Sequence, residues 1–161
     1  MDLREARASG NRHPWEVARA DFFTGLVTSQ LSSHHPVRVL DVGAGDGYLA
    51  RRLFDALPPG SEIVCHDSSY TDNWIETHSG PGPRFSREAP AGRFDWVLLL
   101  DVLEHVPDDQ RLLEQVRVAS LGEGGTVLVA VPAWRARLCL YSASRSVPVP
   151  GLSAWAMAVA R

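Results

Sequence analysis

The chain has 161 residues, is 45% hydrophobic and 22% charged, and carries a formal net charge of -3; this suits one domain with a single sizeable core and leaves little room for two. The slightly acidic balance and the lack of any Lys/Arg block exclude the electrostatic footprint of a nucleic-acid binder. Cys65 and Cys139 lie too far apart for a C-x-x-C site or a disulfide framework and suit a reducing cytoplasm, while the polar amino terminus and the shortness of every apolar run give no signal core and no membrane span.

Residues 1–13 are charged and small and are expected to be flexible. Pro14 suits the first turn of a helix, and Trp15, Ala18, Phe22, Leu26, Val27 and Gln30 trace one helical face, so a helix is predicted from Pro14 to about Leu31. Val37 to Val42 reads as a buried strand that stops at Gly43, Gly45 and Gly47. From Tyr48, the residues Leu49, Leu53, Phe54 and Leu57 share a helical face until Pro58-Pro59-Gly60 ends it.

Strand, glycine turn, helix is the central unit. Glycine is needed where the backbone takes a positive φ or where a ligand comes too close for a Cβ. The helix that follows aims its unpaired N–H groups at the turn. Asp41 at the strand end and Asp46 within the turn make the site acidic, which disfavours a polyanion and favours a ligand carrying an ammonium or sulfonium charge. A glycine-rich turn with no ligand is the plain alternative.

Asp41-Val42-Gly43-Ala44-Gly45-Asp46-Gly47 resembles the D-x-G-x-G-x-G motif of the class I S-adenosylmethionine-dependent methyltransferases. It differs from the dinucleotide fingerprint G-x-G-x-x-G because its third glycine comes one residue early. The resemblance implies S-adenosylmethionine as cofactor, with Gly43, Gly45 and Gly47 admitting its methionine part and Asp41 orienting the loop or the ligand's ammonium. Arg12 to Arg19 likewise resembles the leader of small bacterial methyltransferases, in which an aromatic helix lies over the cofactor; Trp15 and Phe22 packing on the sheet is the competing reading.

Ser61 to His66 is a second strand, ending at Asp67. A carboxylate there, about 20 residues past a glycine loop, accepts hydrogen bonds from ribose hydroxyls in doubly wound sheets, so Asp67, with Ser68 beside it, joins the cofactor set; capping of the next helix is the alternative use of Asp67. Tyr70 to Thr77 is predicted helical, Gly80 to Pro83 loop, and Arg84 to Ser86 a short edge strand. The resemblance implies an acidic contact to adenine hereabouts, and Glu88 is the acid on offer.

Phe94 to Leu100 is a continuous apolar run of the kind found in parallel strands covered on both faces. It leads into Asp101-Val102-Leu103-Glu104-His105-Val106-Pro107, which resembles the D/E-x-x-E-H-V-P run of methyltransferases related to the quinone-biosynthesis enzymes and borders both cofactor and acceptor there. Asp101 is therefore a cofactor-binding and catalytic candidate. His105 is a candidate general base, with metal ligation alongside Glu104, or a loop-capping role, as the other readings; the reading as a whole includes no metal.

Asp108 can cap a helix from Asp109 to Leu121 bearing Leu112, Leu113, Val116 and Ala119 on one face, and Thr126 to Val131 is a fifth strand. The residues after Pro132 carry no βαββ pattern. The expected architecture is an α/β, doubly wound Rossmann-like sheet of parallel strands in the order 3-2-1-4-5. It occupies residues 14–134 and lacks the family's usual C-terminal antiparallel strands, with a poorly ordered or loosely packed tail at 135–161. A fifth strand left at the sheet edge invites self-association. The expected reaction is methyl transfer to a small-molecule acceptor, with no nucleic-acid or membrane partner. A truncated, non-catalytic fragment that binds the cofactor weakly or a partner chain, and an NAD-dependent oxidoreductase, are the alternatives.

Overall fold

In the computed structural model, which describes residues 12–31 and 35–132 and the backbone of 155–160, the apolar runs line up side by side in one sheet. The elements in chain order are α1 (Pro14–Gln30), β1 (Arg38–Val42), α2 (Tyr48–Ala56), β2 (Glu62–His66), α3 (Asp72–His78), β3 (Arg84–Ser86), β4 (Phe94–Leu100), α4 (Asp109–Ala119), β5 (Leu121–Pro132) and β6 (Trp155–Ala160). The strand order is β3-β2-β1-β4-β5-β6, and the first five strands are mutually parallel, as the expected 3-2-1-4-5 order requires.

Side-chain alternation sorts the strands into two cores. Val39, Ile63, Cys65, Phe85, Trp96, Leu98 and Leu128 face α1, α2 and the aromatic residues of α3, whereas Leu40, Val64, Val97, Leu99 and Val127 face Val116 of α4. Three helices thus cover one face and one covers the other, which is why β4 is apolar from Trp96 to Leu100, with Asp95 exposed near its start. The same parity puts Asp41 on the face of Val39, directly across from Cys65 on β2 and Leu98 on β4.

Two expectations need correcting. The sheet does not lack an antiparallel strand: β6 runs antiparallel to β5, from Val127 opposite Ala160 to Pro132 opposite Trp155, so the edge on which self-association was expected is occupied. Trp155 to Ala160 alternates Trp, Met and Val with alanine, the period of two that suits a strand, and the outer N–H and C=O groups of β5 supply the reason to pair. The remainder of the predicted tail at 135–161 lies outside the described residues.

The buried stripe of α1 is also rotated from the predicted one. Ala20, Phe23 and Val27 are buried and Phe22 and Leu26 pack beside them, while Trp15 is 43% exposed and Ala18 and Gln30 face solvent. Apolar residues are scattered around this helix, so periodicity could not fix its rotation; tertiary ion pairs do, as described below.

Truncation after Pro132 removes β6 and leaves the outer edge of β5, whose other side pairs with β4, without a partner. The expected result is a lowered Tm together with concentration-dependent association in light scattering; a monomeric truncated chain of unchanged Tm would contradict the pairing.

Candidate cofactor site

The glycine turn after β1 has no room for side chains on its flanks. Gly43, Gly45 and Gly47 have φ of +69°, +56° and +71°, a region that costs a non-glycine residue roughly 1–2 kcal/mol. A Cβ on Gly47 would lie 2.5 Å from Phe85 Cε1, and one on Gly43 would lie 2.7 Å from Val102 Cγ2. Those two glycines are therefore demanded by the protein's own packing: Phe85 of β3 and Val102 of the loop after β4 seat the turn from either side. At Gly45 a Cβ would meet nothing within 4 Å, so the open approach to the backbone is at this residue alone.

Hydrogen bonds fix the turn. Gly43 N–H donates to His66 O at 2.7 Å, and Gly47 N–H to Ala44 O at 3.0 Å. Asp46 Oδ1 accepts from Tyr48 N at 3.1 Å, at the start of α2. Asp67 Oδ2 accepts from Gly45 N at 3.1 Å, and its Oδ1 accepts from Ser69 N at 2.9 Å and Ser69 Oγ at 2.7 Å. Asp67 thus faces the turn rather than capping α3, a task that falls to Thr71, whose Oγ1 accepts from Trp74 N at 3.2 Å. Ser68 lies exposed beside it.

Arginines that sequence reasoning did not single out close the mouth of the site. Arg12 bonds Asp46, lies 3.9 Å from the centroid of the Tyr48 ring and pairs with Glu16 at 3.5 Å. Arg19, two helical turns on, pairs with Asp101 Oδ2 at 2.7 Å. Helix α1 is therefore held at both ends of the carboxyl edge of the sheet, by arginines rather than by the aromatic side chain of Trp15. Lone arginines on a helix surrounded by acids carry no sequence signal that distinguishes them from a solvated face.

Asp101 has φ +63°, the one non-glycine residue in the left-handed region among the described residues. Such strain costs on the order of 1–3 kcal/mol and concentrates at functional sites. Its N–H donates to Ala130 O at 2.9 Å, which ties the strained residue to β5. Burial raises its carboxyl pKa, against the pull of Arg19 and with a push from Glu104. Leu103–His105 forms a 3₁₀ turn on which His105 is exposed. Oδ1 of Asp101 and Oε2 of Glu104 are buried without a hydrogen-bond partner among the described residues.

Asp41 is only 4% exposed. Burial pushes its carboxyl up from 3.8 to about 7, with Arg19 opposing the rise and Asp67 adding to it. Asp46 and Asp67 hydrogen-bond the turn or the start of α2, Val102 beside Asp101 packs on Gly43, and Ser68 and His105 are exposed. Glu88 is exposed, and its recorded bond is made by its backbone carbonyl, to Ser86 Oγ.

A parallel sheet with this strand order and a glycine turn after β1 is the class I methyltransferase fold. The family model described as "Methyltransferase domain" matches residues 11–158, and the chain belongs to that family. The match continues past Trp134 and takes in most of β6.

Among solved structures, the fold is similar to magnesium protoporphyrin IX methyltransferase (ChlM) from Synechocystis PCC 6803 with bound SAM, at 17% identity over 80% of this chain and 68% of that one, with a TM-score of 0.59. It is similar also to the plantazolicin methyltransferase BpumL in complex with a monoazolic desmethylPZN analog and SAH, at 18% identity, 72% and 46% coverage and a TM-score of 0.57. A third, coclaurine N-methyltransferase bound to N-methylheliamine and SAH, gives 17% identity, 72% and 35% coverage and a TM-score of 0.59. At these identities the likeness is one of fold, and the chain spans less than half the length of the latter two enzymes. No curated protein sequence matches the chain.

Asp41 makes folding pH-dependent. It ionises near 3.8 when unfolded and near 7 when folded, so the folded state holds the extra proton between those values. Its contribution to stability is full below about pH 4 and is lost as the pH rises through 7, by on the order of 4 kcal/mol. Asp41→Asn removes this dependence, so urea unfolding should show the variant gaining on the wild type from pH 4 to pH 8; a gap that stays flat with pH would contradict the assignment.

Proposed function

We propose that the chain transfers a methyl group from S-adenosylmethionine to a small-molecule acceptor. The observation that carries this reading is the bare backbone at Gly45, open on its outer side and braced from beneath by Asp67. The donor set fits the group: a cationic nucleoside with two ribose hydroxyls offers hydrogen-bond donors and positive charge, and the side chains around Gly45 offer carboxylate oxygens. Asp46 and Asp101 are engaged by Arg12 and Arg19, which leaves Asp41 to face the ligand's positive end and Asp67, with lone pairs to spare, to hold the sugar, with Ser68 beside it.

When bound, S-adenosylmethionine supplies a methyl group activated by a sulfonium, for in-line displacement by the acceptor. The chain's part is alignment and the exclusion of water. Helix α1, fastened at Asp46 and Asp101, covers the opening; the turn seated on Phe85 and Val102 fixes the backbone against which the ligand lies. His105, exposed on the rim, takes the proton where the acceptor is a hydroxyl or an amine, and Asp101 positions the rim beside it. Cys65, free and buried, suits the reducing cytoplasm in which we place the chain.

Calorimetric titration with S-adenosylhomocysteine tests the reading. Asp67→Ala is expected to weaken binding by about 1–3 kcal/mol, the scale of a lost hydrogen bond to a charged group, and binding of NAD without S-adenosylhomocysteine would overturn the proposal in favour of an oxidoreductase. His105→Ala should leave S-adenosylhomocysteine affinity unchanged while lowering methyl transfer by about 10²-fold or more, the usual scale of a lost general base. A non-catalytic cofactor-binding unit is the second reading, which cofactor binding without turnover across a panel of acceptors would support.

A further inference from the structure

Asp101 stands in a backbone conformation that suits glycine. Its φ of +63° lies in the left-handed region, where a Cβ crowds the following carbonyl and glycine alone is unstrained. Its Oδ1 is also buried without a hydrogen-bond partner among the described residues, a second cost that a glycine would not incur. Strain of this kind persists only where the surroundings impose it, and the other carboxylate oxygen shows what does so: Oδ2 lies 2.7 Å from Arg19 on α1. Both side chains are largely withdrawn from water, 17% exposed for Arg19 and 24% for Asp101, so the pair is screened less than a surface one.

From this ion pair a short series of contacts leads to the glycine turn. The N–H of Asp101 donates to Ala130 O of β5 at 2.9 Å, so its backbone is fixed to the sheet and its carboxylate to α1. The next residue, Val102, has its Cγ2 only 2.7 Å from where a Cβ on Gly43 would stand. Val102 O accepts from His105 N–H at 3.0 Å and closes the 3₁₀ turn. A rotation at Asp101 therefore moves Val102 off Gly43, whose N–H donates to His66 O at 2.7 Å and begins the turn. Arg19 is seated as firmly: its guanidinium lies 5.3 Å from the centroid of the Phe23 ring, and Phe23 and Ala20 of the same helix are buried.

We propose that Arg19 is a positioning residue of the cofactor site: by holding Asp101 in the left-handed conformation it keeps Val102 against Gly43 and so fixes the shape of the glycine turn. Its effect reaches the turn through two residues of the loop after β4. Helix α1 then does more than cover the opening, because the contact that docks the helix is also the contact that holds the loop. The role in ligand binding rests on the cofactor reading above; the hold on the turn does not.

Arg19→Gln removes the cation and keeps much of the side chain. In the ligand-free protein, amide hydrogen exchange followed by NMR is expected to show Gly43 N–H exchanging about 5-fold faster or more in the variant, with Val64 in the middle of β2 unchanged, since opening confined to the turn leaves the sheet intact. S-adenosylhomocysteine affinity should fall about 5-fold. In an Asp101→Gly background, adding Arg19→Gln should change Gly43 exchange no further. Unmoved Gly43 exchange overturns the proposal, as does equal acceleration at Gly43 and Val64, which marks a general loss of stability. Further acceleration on adding Arg19→Gln to Asp101→Gly also overturns it, because the effect then bypasses Asp101. Faster Gly43 exchange with equal S-adenosylhomocysteine affinity for both proteins overturns the role in binding, whereas wild-type protein that binds no S-adenosylhomocysteine overturns the cofactor reading while the exchange rates still decide the hold on the turn.

Discussion

The structure depends on how closely the turn after β1 packs onto its neighbours. Val102 fills the space beside Gly43 and Phe85 the space beside Gly47, so the backbone from 43 to 47 is wedged between the loop after β4 and strand β3. Protein interiors are packed too tightly to absorb an extra methyl group in such a place without displacement. The wedge makes three separate segments, the glycine turn, the Asp101 loop and the β3 strand, share one geometry. It leaves Gly45 as the place where something other than the protein can approach the chain.

Charge is distributed around that opening in an ordered way. The acids that lie farthest apart, Asp46 and Asp101, are tied to Arg12 and Arg19 and so fasten α1 across the edge of the sheet. Those deeper in, Asp41 and Asp67, face a turn whose amides and helix N-terminus are partly positive. Asp41 shows the cost of the arrangement: its carboxyl is pushed up to about 7 by burial. The strained φ of Asp101 belongs with it, since both lie at strand ends that converge on the same opening.

Most of the layout was legible in the chain itself, and the places where it was not share a cause. Val39 and Leu40, Ile63 and Val64, and the unbroken run Trp96 to Leu100 announce buried parallel strands because both faces must be apolar. The spacing of Gly43, Gly45 and Gly47 announces a turn that side chains cannot occupy. Asp67 stands where a doubly wound sheet places an acid, and it accepts from Gly45 N–H of the glycine turn. By contrast, the rotation of α1 was misread because Trp15, Ala18 and Phe22 form as good an apolar stripe on paper as Ala20, Phe23 and Val27. The pairing of β6 was missed because one short alternating stretch, Trp155 to Ala160, does not say which strand edge it will meet.

The sequence by itself determined the strands, the glycine turn and the acids beside it, because those follow from local periodicity and backbone sterics, while the strand order came with the resemblance to the methyltransferase family. Only the tertiary structure decided which glycines answer to internal packing and which one opens outward, and which arginine meets which acid. Each of those is a meeting of residues distant in the chain, and no local pattern encodes the contact that settles it.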